Sequence, residues 1–256
     1  DLFNLVGLWI YLLSGSESVH PIEFYNSVAR RFVDEGSNPV RLRASWGSVL
    51  FGSGAVDRVI SILRASPQTR RAVIPVLRVE DLGVASRNLP CLTAVQFSVQ
   101  GGRLDCYVTM RSQAAMGVMP YDLFLLTMLH EYVAMRTGIP LGEYTHFAPL
   151  CGIRESEAPF LADTASSPVM PQTMPPMEKL EDGKLALFHY CERKIRNTGT
   201  LPEEINQLPN YWRDFLSITF VKKCLKTQNE VAARRAALES ITTFPREFLD
   251  KNFRDE

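Results

Sequence analysis

The sequence lacks an excess of charge of either sign, since 28 Lys and Arg residues balance 28 Asp and Glu residues. A balanced chain has no broad electrostatic attraction to nucleic acid or to a membrane surface, so neither is predicted as a partner. Long hydrophobic runs are also missing. The longest run near the start, residues 5–13, is too short to span a bilayer and lacks the basic flank of a signal peptide. Any anionic ligand must therefore be held by a local cluster of basic residues.

Paired cysteine patterns are absent as well. The cysteines are odd in number, widely spaced and free of CxxC motifs: Cys91, Cys106, Cys151, Cys191 and Cys224. This spacing argues against a disulfide framework and against a zinc site, so no metal is predicted. Such cysteine usage is typical of a reducing compartment, and the cytoplasm is the predicted location.

The chain does have enough apolar sequence, 46% of 256 residues, to form one large core or a core with an appended subdomain. It opens on Asp1 within a helical pattern, which predicts that an N-terminal piece is missing. A segment rich in Pro, Met, Ser and Thr at 167–177 predicts a linker. We therefore predict a core over 1–166 and a helical C-terminal elaboration over 178–256.

The periodicity of apolar residues predicts a chain of both helices and strands. Helical spacing predicts helices over 2–13, 23–35, 56–64 and 123–135. Pro120 and Gly138 are the predicted start and stop of the last helix. Alternating or β-branched residues predict strands over 72–79, 93–99, 104–110 and 145–150. Gly101 and Gly102 predict that the second and third strands form a hairpin, and Pro75 indicates that the first is an edge strand or contains a bulge.

Cys91 is the first candidate for chemistry. It follows a proline and precedes a strand, where its thiol can project into a cleft, although a buried structural cysteine is the alternative. A nucleophilic thiolate needs a nearby cation, and Arg111 ends the antiparallel partner strand.

Two donor groups flank the predicted strands. Arg70 and Arg71 precede one strand, and Arg111 and Ser112 follow another. Arginine forks and a hydroxyl group suit the oxygens of a phosphate monoester, and solvated strand ends are the alternative interpretation.

Asp122 lies in the first turn of the apolar helix predicted over 123–135. A carboxylate there can simply complement the helix dipole. As a ligand group it can accept from an exocyclic amine, such as the N4 amino group of cytosine, and when protonated it can donate to ring N3.

Together these stretches resemble the thymidylate synthase family. The similarity covers about Trp46 to Glu157, with weaker similarity from Leu2 to Gly15, and its specificity lies in the order and spacing of short motifs. They are the stretch Ser66 to Ile74 around the Arg pair, Leu89-Pro90-Cys91, Gln96-Phe97, Arg111-Ser112 and Pro120-Tyr121-Asp122. The resemblance implies an α/β (α+β) fold with a mixed or antiparallel sheet flanked by helices. It also implies a pyrimidine nucleoside monophosphate as substrate and 5,10-methylenetetrahydrofolate as co-substrate.

The resemblance also assigns roles to residues. It makes Cys91 the nucleophile, and it makes Arg111 and Ser112 phosphate ligands. Arg70 and Arg71 would reach the phosphate in the other subunit of a homodimer.

Two departures from the family pattern concern the substrate. Uracil-specific synthases carry an asparagine where this chain has Asp122, and the aspartate resembles the cytidylate hydroxymethylases of the family. Where synthases carry a histidine and a tyrosine that bind the 3′-hydroxyl of deoxyribose, an ungapped alignment places Gly152 and Arg154. A different sugar contact and the room left by a glycine favour a ribonucleotide, as in the CMP hydroxymethylases of nucleoside-antibiotic pathways.

Two further departures concern acidic groups. The catalytic glutamate of synthases has no counterpart between Asn4 and Trp9, and the nearest acid, Glu17, comes late. Ala114 replaces an aspartate that contacts folate. The resemblance still implies C5 hydroxymethylation of CMP, through a covalent bond between Cys91 and C6 and addition of water to an exocyclic methylene. The same chemistry on dCMP, a non-catalytic nucleotide-binding relative and a structural domain without a site are the alternatives.

Overall fold

The main sheet has four strands in this computed structural model, which describes residues 1–34, 40–86, 88–159, 173–227, 231–244 and 249. The strands of the described residues are, in chain order, β1 (Val73–Pro75), β2 (Leu92–Gln100), β3 (Arg103–Met110), β4 (Gln113–Ala114), β5 (Leu141–Phe147) and β6 (Cys151–Gly152). The main sheet has the order β1-β2-β3-β5, and β4 and β6 form a separate parallel pair. β3 and β5 are parallel and the other neighbours are antiparallel, so the sheet is mixed as predicted.

The hairpin at the centre of the sheet is confirmed. Val95 of β2 lies opposite Val108 of β3, and both are buried. Gly101 and Gly102 join the strands with φ angles of 55° and 78°. Two consecutive left-handed residues are what a tight hairpin turn needs, and glycine adopts that conformation without a steric penalty.

The first edge strand is shorter than predicted. Of the strand expected over 72–79, only Val73–Pro75 pairs with β2. The backbone N–H groups of Val76 and Leu77 both donate to the carbonyl oxygen of Thr93, at 2.8 and 3.2 Å, which ends the regular ladder. The edge position expected from the proline of this strand is confirmed.

The other edge strand is displaced from its prediction. Instead of residues 145–150, β5 begins at Leu141 and pairs with β3 from Leu104 onward. It ends before Pro149, which has no backbone N–H to offer to a ladder.

The helices of the described residues are α1 (Leu2–Ser14), α2 (Val19–Tyr25), α3 (Ala55–Ala65), α4 (Met119–Thr137), α5 (Lys184–Thr198), α6 (Asn210–Thr227) and α7 (Val231–Ser240). The predictions for α1, α3 and α4 are confirmed. Pro120 lies in the first turn of α4, and Gly138 follows its last residue with a φ of 75°. No described helix is long and apolar enough to cross a membrane.

The helix predicted over 23–35 is wrong. The chain instead forms α2 and a separate 3₁₀ turn, Ser27–Phe32, and residues 35–39 lie outside the described residues. Two apolar positions that suggested a buried stripe are exposed, Val28 at 44% and Phe32 at 51%. Without burial of that stripe, one continuous helix gains little stability from packing.

The sheet lies in one of two compact units, the one formed by Tyr11–His20 and Val28–Met170. α3 packs against β1 and α4, and α4 packs against β3 and β5. α4 is also the crossover that joins the parallel strands β3 and β5. Side chains from the sheet and α4 form the apolar core, including Phe97, Leu104, Val108, Leu126 and Leu129.

The other unit consists of Asp1–Ile10, Pro21–Ser27 and Pro171–Glu256. Its described C-terminal part is helical, as predicted. Buried aromatic rings pack edge to face within it, such as Phe188 and Trp212 with centroids 5.5 Å apart. The domain boundaries proposed at 166 and 178 remain predictions, because most of 167–177 lies outside the described residues.

Candidate active site

The thiol of Cys91 lies at the entrance of β2, beside the end of β3. The backbone N–H of Arg111 donates to the carbonyl oxygen of Cys91 at 2.8 Å, which extends the pairing of the two strands. The Ser112 hydroxyl group donates to the half-buried Cys91 sulfur at 3.9 Å. The hairpin register therefore brings a thiol, a hydroxyl group and an arginine to one strand end.

The Arg111 guanidinium group is held by the backbone that precedes Cys91. Its Nε donates to the carbonyl oxygen of Pro90 at 2.9 Å, and its Nη2 donates to that of Leu89 at 3.3 Å. The residue is otherwise exposed. Because a guanidinium group has five N–H donors, these bonds fix its orientation and still leave donors for an anion.

The small β4–β6 pair places Gly152 opposite Ala114, two residues after Ser112. The backbone N–H of Gln113 donates to Leu150 O at 2.7 Å, and that of Ala115 donates to Gly152 O at 2.8 Å. Gly152 is exposed, and a Cβ added there would meet no heavy atom within 4 Å. The space expected beside this glycine is therefore open.

Arg154 is also exposed and is paired with an acid. Its Nη1 lies 3.7 Å from Oε1 of Glu157, and its backbone N–H donates to Oε2 of the same carboxylate at 3.1 Å. This carboxylate lies close to Gly117, where an added Cβ would be 2.5 Å from Glu157 Oε1. The role of Arg154 as a sugar contact remains a prediction.

Asp122 is buried in the first turn of α4, with 7% of its surface exposed. Its Oδ2 accepts a hydrogen bond from Nε2 of Gln113 at 2.8 Å. Burial raises the pKa of Asp122 from 3.8 to about 6, and the bond from Gln113 opposes that rise. The carboxyl group is thus available in both protonation states near neutral pH.

Gln113 belongs to a hydrogen-bond network that the sequence analysis missed. Its Oε1 lies 3.3 Å from His146 Nε2, and His146 Nδ1 lies 2.8 Å from the Tyr144 hydroxyl group. Burial lowers the pKa of His146 and raises that of Tyr144, so both side chains are neutral near pH 7. A signal was present, because Tyr144 and His146 lie two residues apart in a strand and therefore share a face.

The Arg70–Arg71 pair lies apart from these groups. Both residues are exposed just before β1, and neither guanidinium group forms a hydrogen bond or ion pair within the described residues. The structure therefore does not connect them to Cys91 or Arg111 of the same chain through such contacts. Their predicted role in the site of another subunit remains a prediction.

The part of the chain that carries these groups matches a known family. The family model described as thymidylate synthase matches residues 40–169, about half of the chain. The chain belongs to the thymidylate synthase family. Its sequence is 34% identical over 97 residues to thymidylate synthase 1/2 of Encephalitozoon cuniculi, an alignment that covers 38% of this chain and 32% of that protein.

A second relative is the putative thymidylate synthase of Methanocaldococcus jannaschii. It is 33% identical over 97 residues, covering 36% of this chain and 44% of that protein. The chain thus spans less than half of the length of these curated relatives.

Two solved thymidylate synthases share the fold. Thermostable thymidylate synthase A from Bacillus subtilis superposes with a TM-score of 0.59 and 19% identity, covering 70% of this chain and 67% of that one. The thymidylate synthase from T4 phage gives 0.58 and 17% identity, with 69% and 68% covered. The thymidylate synthase-like fold expected from the sequence is confirmed.

The stretch of α1 in which the resemblance places the catalytic glutamate has no acidic residue. In α1, the buried Asn4 accepts a hydrogen bond from Asn26 at 2.9 Å, and no acid occurs from there to Trp9. Glu17 is engaged elsewhere, since its Oε2 lies 2.6 Å from Nε of Arg41.

Proposed function

We propose that this thymidylate synthase family member catalyses folate-dependent C5 hydroxymethylation of cytidine 5′-monophosphate, CMP. The observation that carries the proposal is the buried carboxyl group of Asp122, which accepts from Gln113 and has a pKa of about 6. Cytosine presents an amino donor at C4 and an acceptor at N3. A carboxyl group can accept from the first and, when protonated, donate to the second.

Cys91 is the proposed nucleophile, and the half-buried position beside Ser112 supports that role. Its thiolate forms a bond to C6 of the ring, and the electron pair of the C5=C6 bond makes C5 nucleophilic. C5 then attacks the one-carbon unit of the co-substrate 5,10-methylenetetrahydrofolate, which forms a bond between C5 and that carbon and leaves the carbon attached to the folate through one nitrogen. When the C5 proton is lost and tetrahydrofolate leaves, the nucleotide carries an exocyclic methylene.

Water completes the proposed reaction. It adds to the exocyclic methylene, and the electron pair that this addition returns to C5 expels the Cys91 thiolate and restores the C5=C6 bond. The products are the 5-hydroxymethyl nucleotide and tetrahydrofolate, so no external reductant is consumed. Asp122, near its pKa of about 6, can supply and recover the proton that ring N3 needs during these steps.

Arg111 and Ser112 are the proposed phosphate ligands from the same subunit as Cys91. The guanidinium group of Arg111 is oriented by two backbone carbonyl groups, and Ser112 brings a hydroxyl donor next to it in sequence. Oriented forks and hydroxyl groups are suited to the three oxygens of a phosphate monoester.

A homodimer would complete the phosphate site with Arg70 and Arg71 of the partner subunit. One face of the main sheet supports a second copy, because it exposes apolar side chains. Val73 and Tyr107 both lie opposite Gln96, and Tyr107 lies opposite Thr145. Phe147 shares the face of Thr145 by alternation. The exposed fractions are 41% for Val73, 38% for Tyr107 and 59% for Phe147. Exposed apolar faces of this kind favour a self-complementary interface.

The choice of CMP over dCMP depends on the sugar contacts. The open space around Gly152 supports a ribose, whose 2′-hydroxyl group needs room that deoxyribose does not. The same chemistry on dCMP is the nearest alternative.

A second candidate is a nucleotide-binding protein without catalysis. The observation that favours it is the lack of an acid between Asn4 and Trp9, together with Ala114 in place of the folate-contacting aspartate. Such a protein would bind the nucleotide through its phosphate without any turnover that depends on folate.

Release of tritium from C5-labelled nucleotide tests the proposal. With 5,10-methylenetetrahydrofolate present, the full chain should release tritium from CMP faster than from dCMP. Cys91→Ala and Cys91→Ser should abolish the release, because no bond to C6 can form. Cys224→Ala, which alters a buried cysteine of α6, is the matched control and should retain it.

Other results of the tritium-release assay would favour one of the alternative functions. Release that persists in the Cys91 variants removes Cys91 as nucleophile, and a faster reaction with dCMP favours the deoxyribonucleotide. Binding of CMP without any tritium release favours the non-catalytic candidate.

A further inference from the structure

Gln113 connects Asp122 to His146, a side chain that has no contact with the ligand in the proposed function. Its amide nitrogen bonds Asp122 Oδ2 at 2.8 Å, and its amide oxygen lies 3.3 Å from His146 Nε2. Tyr144 is the last member of this series of hydrogen bonds, with its hydroxyl group 2.8 Å from His146 Nδ1. The significance of these hydrogen bonds for base selection rests on the function proposed above.

When Asp122 is ionised, only one donor and acceptor assignment is possible for the hydrogen bonds that link Asp122, Gln113, His146 and Tyr144. A carboxylate can only accept, so the Gln113 amide must turn its N–H toward Asp122 and its oxygen toward His146. His146 Nε2 must then carry the ring proton, because the amide oxygen cannot donate. In a neutral imidazole Nδ1 is left as acceptor, and it receives the hydroxyl hydrogen of Tyr144.

The opposite direction is disfavoured by Tyr144. If Gln113 turned its oxygen toward Asp122, His146 would carry its proton on Nδ1 and Tyr144 would have to accept it. The Tyr144 hydroxyl hydrogen would then need another acceptor, and within the described residues it bonds to His146. A donor left without an acceptor makes this direction the less favourable one.

We propose that Gln113, held in one orientation by His146, is the positioning residue that fixes the donor and acceptor pattern of Asp122 and so lets the site distinguish cytosine from uracil. Because Oδ2 always accepts from Gln113, Oδ1 is the oxygen that gains or loses the proton. A carboxyl group free to carry its proton on either oxygen could pair with cytosine or with uracil, since the two bases present opposite patterns at N3 and C4. A fixed pattern suits only one of them.

The test compares the affinities of CMP and UMP for the full chain by calorimetry, without folate. Gln113→Met removes both amide bonds at similar side-chain length, and His146→Leu frees the amide to rotate without changing Asp122 or Gln113. Each variant should lower the ratio of CMP to UMP affinity by about tenfold, the effect of one misdirected hydrogen bond. Tyr132→Phe is the matched control, because it removes another tyrosine hydroxyl bond of the same unit, the one from Arg136 at 2.8 Å.

Nitrogen-15 spectra of the four histidines supply a reading that needs no nucleotide. The signal that disappears in His146→Leu identifies His146, and it should show the Nε2–H tautomer in the unchanged chain. An Nδ1–H tautomer would overturn the inference.

The outcomes separate this inference from the proposed function. A CMP to UMP ratio that stays at the wild-type value in both variants overturns the role of Gln113, whichever base is preferred. If the unchanged chain prefers UMP, the proposed function is wrong, and a loss of that preference in both variants still supports the inference. If the chain binds neither nucleotide, the proposed function fails and the histidine tautomer decides. An equal fall in both affinities with an unchanged ratio indicates a merely structural role.

Discussion

The side-chain amide of Gln113 donates to Asp122 across 2.8 Å, and this bond joins β4 to the first turn of α4. The bond stabilises the charged form of Asp122, whereas burial destabilises it. Burial prevails, because the pKa of Asp122 rises to about 6. A carboxyl group that holds its proton to a higher pH in the folded chain than in the unfolded chain affects both stability and ligand recognition.

The stability of the chain should depend on Asp122 between about pH 4 and pH 6. The folded chain holds a proton there that the unfolded chain releases, so the free energy of unfolding falls as pH rises through this window. Asp122→Asn should remove this fall in the free energy of unfolding, because asparagine has no charge to bury. At pH 8 the variant should be more stable than the wild type by about 3 kcal/mol, from a pKa difference of about two units. Urea unfolding at several pH values measures this difference.

Asp57→Asn serves as the control for that experiment. Asp57 also lies in the first turn of a helix, α3, but it is exposed. Its charge interacts favourably with the helix dipole, so this variant should lose a little stability at pH 8. Equal stability differences for Asp122→Asn at pH 3.5 and pH 8 would contradict the burial argument.

The sequence predicts best where local patterns and burial agree. The hairpin around Gly101 and Gly102 combines alternation with turn residues of the required conformation, and the helix that ends at Gly138 combines an apolar surface with clear boundaries. The helix over 23–35 was predicted from spacing alone. Its apolar positions Val28 and Phe32 remain exposed, and packing rather than spacing decides whether such a helix forms.

The candidate site shows the same limit. The proximity of Cys91 and Arg111 follows from the hairpin register, so the sequence could predict it. The contacts of Gln113 with Asp122, nine residues away, and with His146, 33 residues away, depend on how β4, α4 and β5 come together. Side-chain hydrogen bonds between separate elements leave no periodic pattern in the sequence, so the fold was needed to find the role of Gln113.

Arg111→Lys should weaken CMP binding by about tenfold and leave cytidine binding unchanged. A lysine cannot donate to Pro90 O and Leu89 O as the guanidinium group does, so its charge would no longer be oriented toward a phosphate. Calorimetry with both ligands measures the effect. Arg103→Lys, at the opposite end of β3, is the control and should change neither affinity. Equal losses for CMP and cytidine would show that Arg111 supports the fold of the site instead of binding phosphate.

Mixing two inactive variants tests the shared site of the proposed homodimer. One variant carries Arg70→Ala and Arg71→Ala, and the other carries Cys91→Ala. After random exchange of subunits, half of the dimers are mixed and each has one site with all three residues intact, so about a quarter of wild-type tritium release should return. The Cys91→Ala variant mixed with itself is the control. No recovery, despite subunit exchange seen by mass spectrometry, would mean that the Arg pair does not serve the partner's site.

Gly152→His should shift the preference of the site from CMP toward dCMP. The backbone of Gly152 is not left-handed, and an added Cβ meets no heavy atom within 4 Å, so the larger side chain should leave the melting temperature unchanged. The imidazole would fill the space proposed for the ribose 2′-hydroxyl group. The ratio of CMP to dCMP turnover should fall by about tenfold in Gly152→His and less in Gly152→Ala, because displacement grows with side-chain size. Tritium release from the two labelled nucleotides measures the ratio. If both rates fall equally, Gly152 does not face the sugar, and the argument for a ribonucleotide is lost.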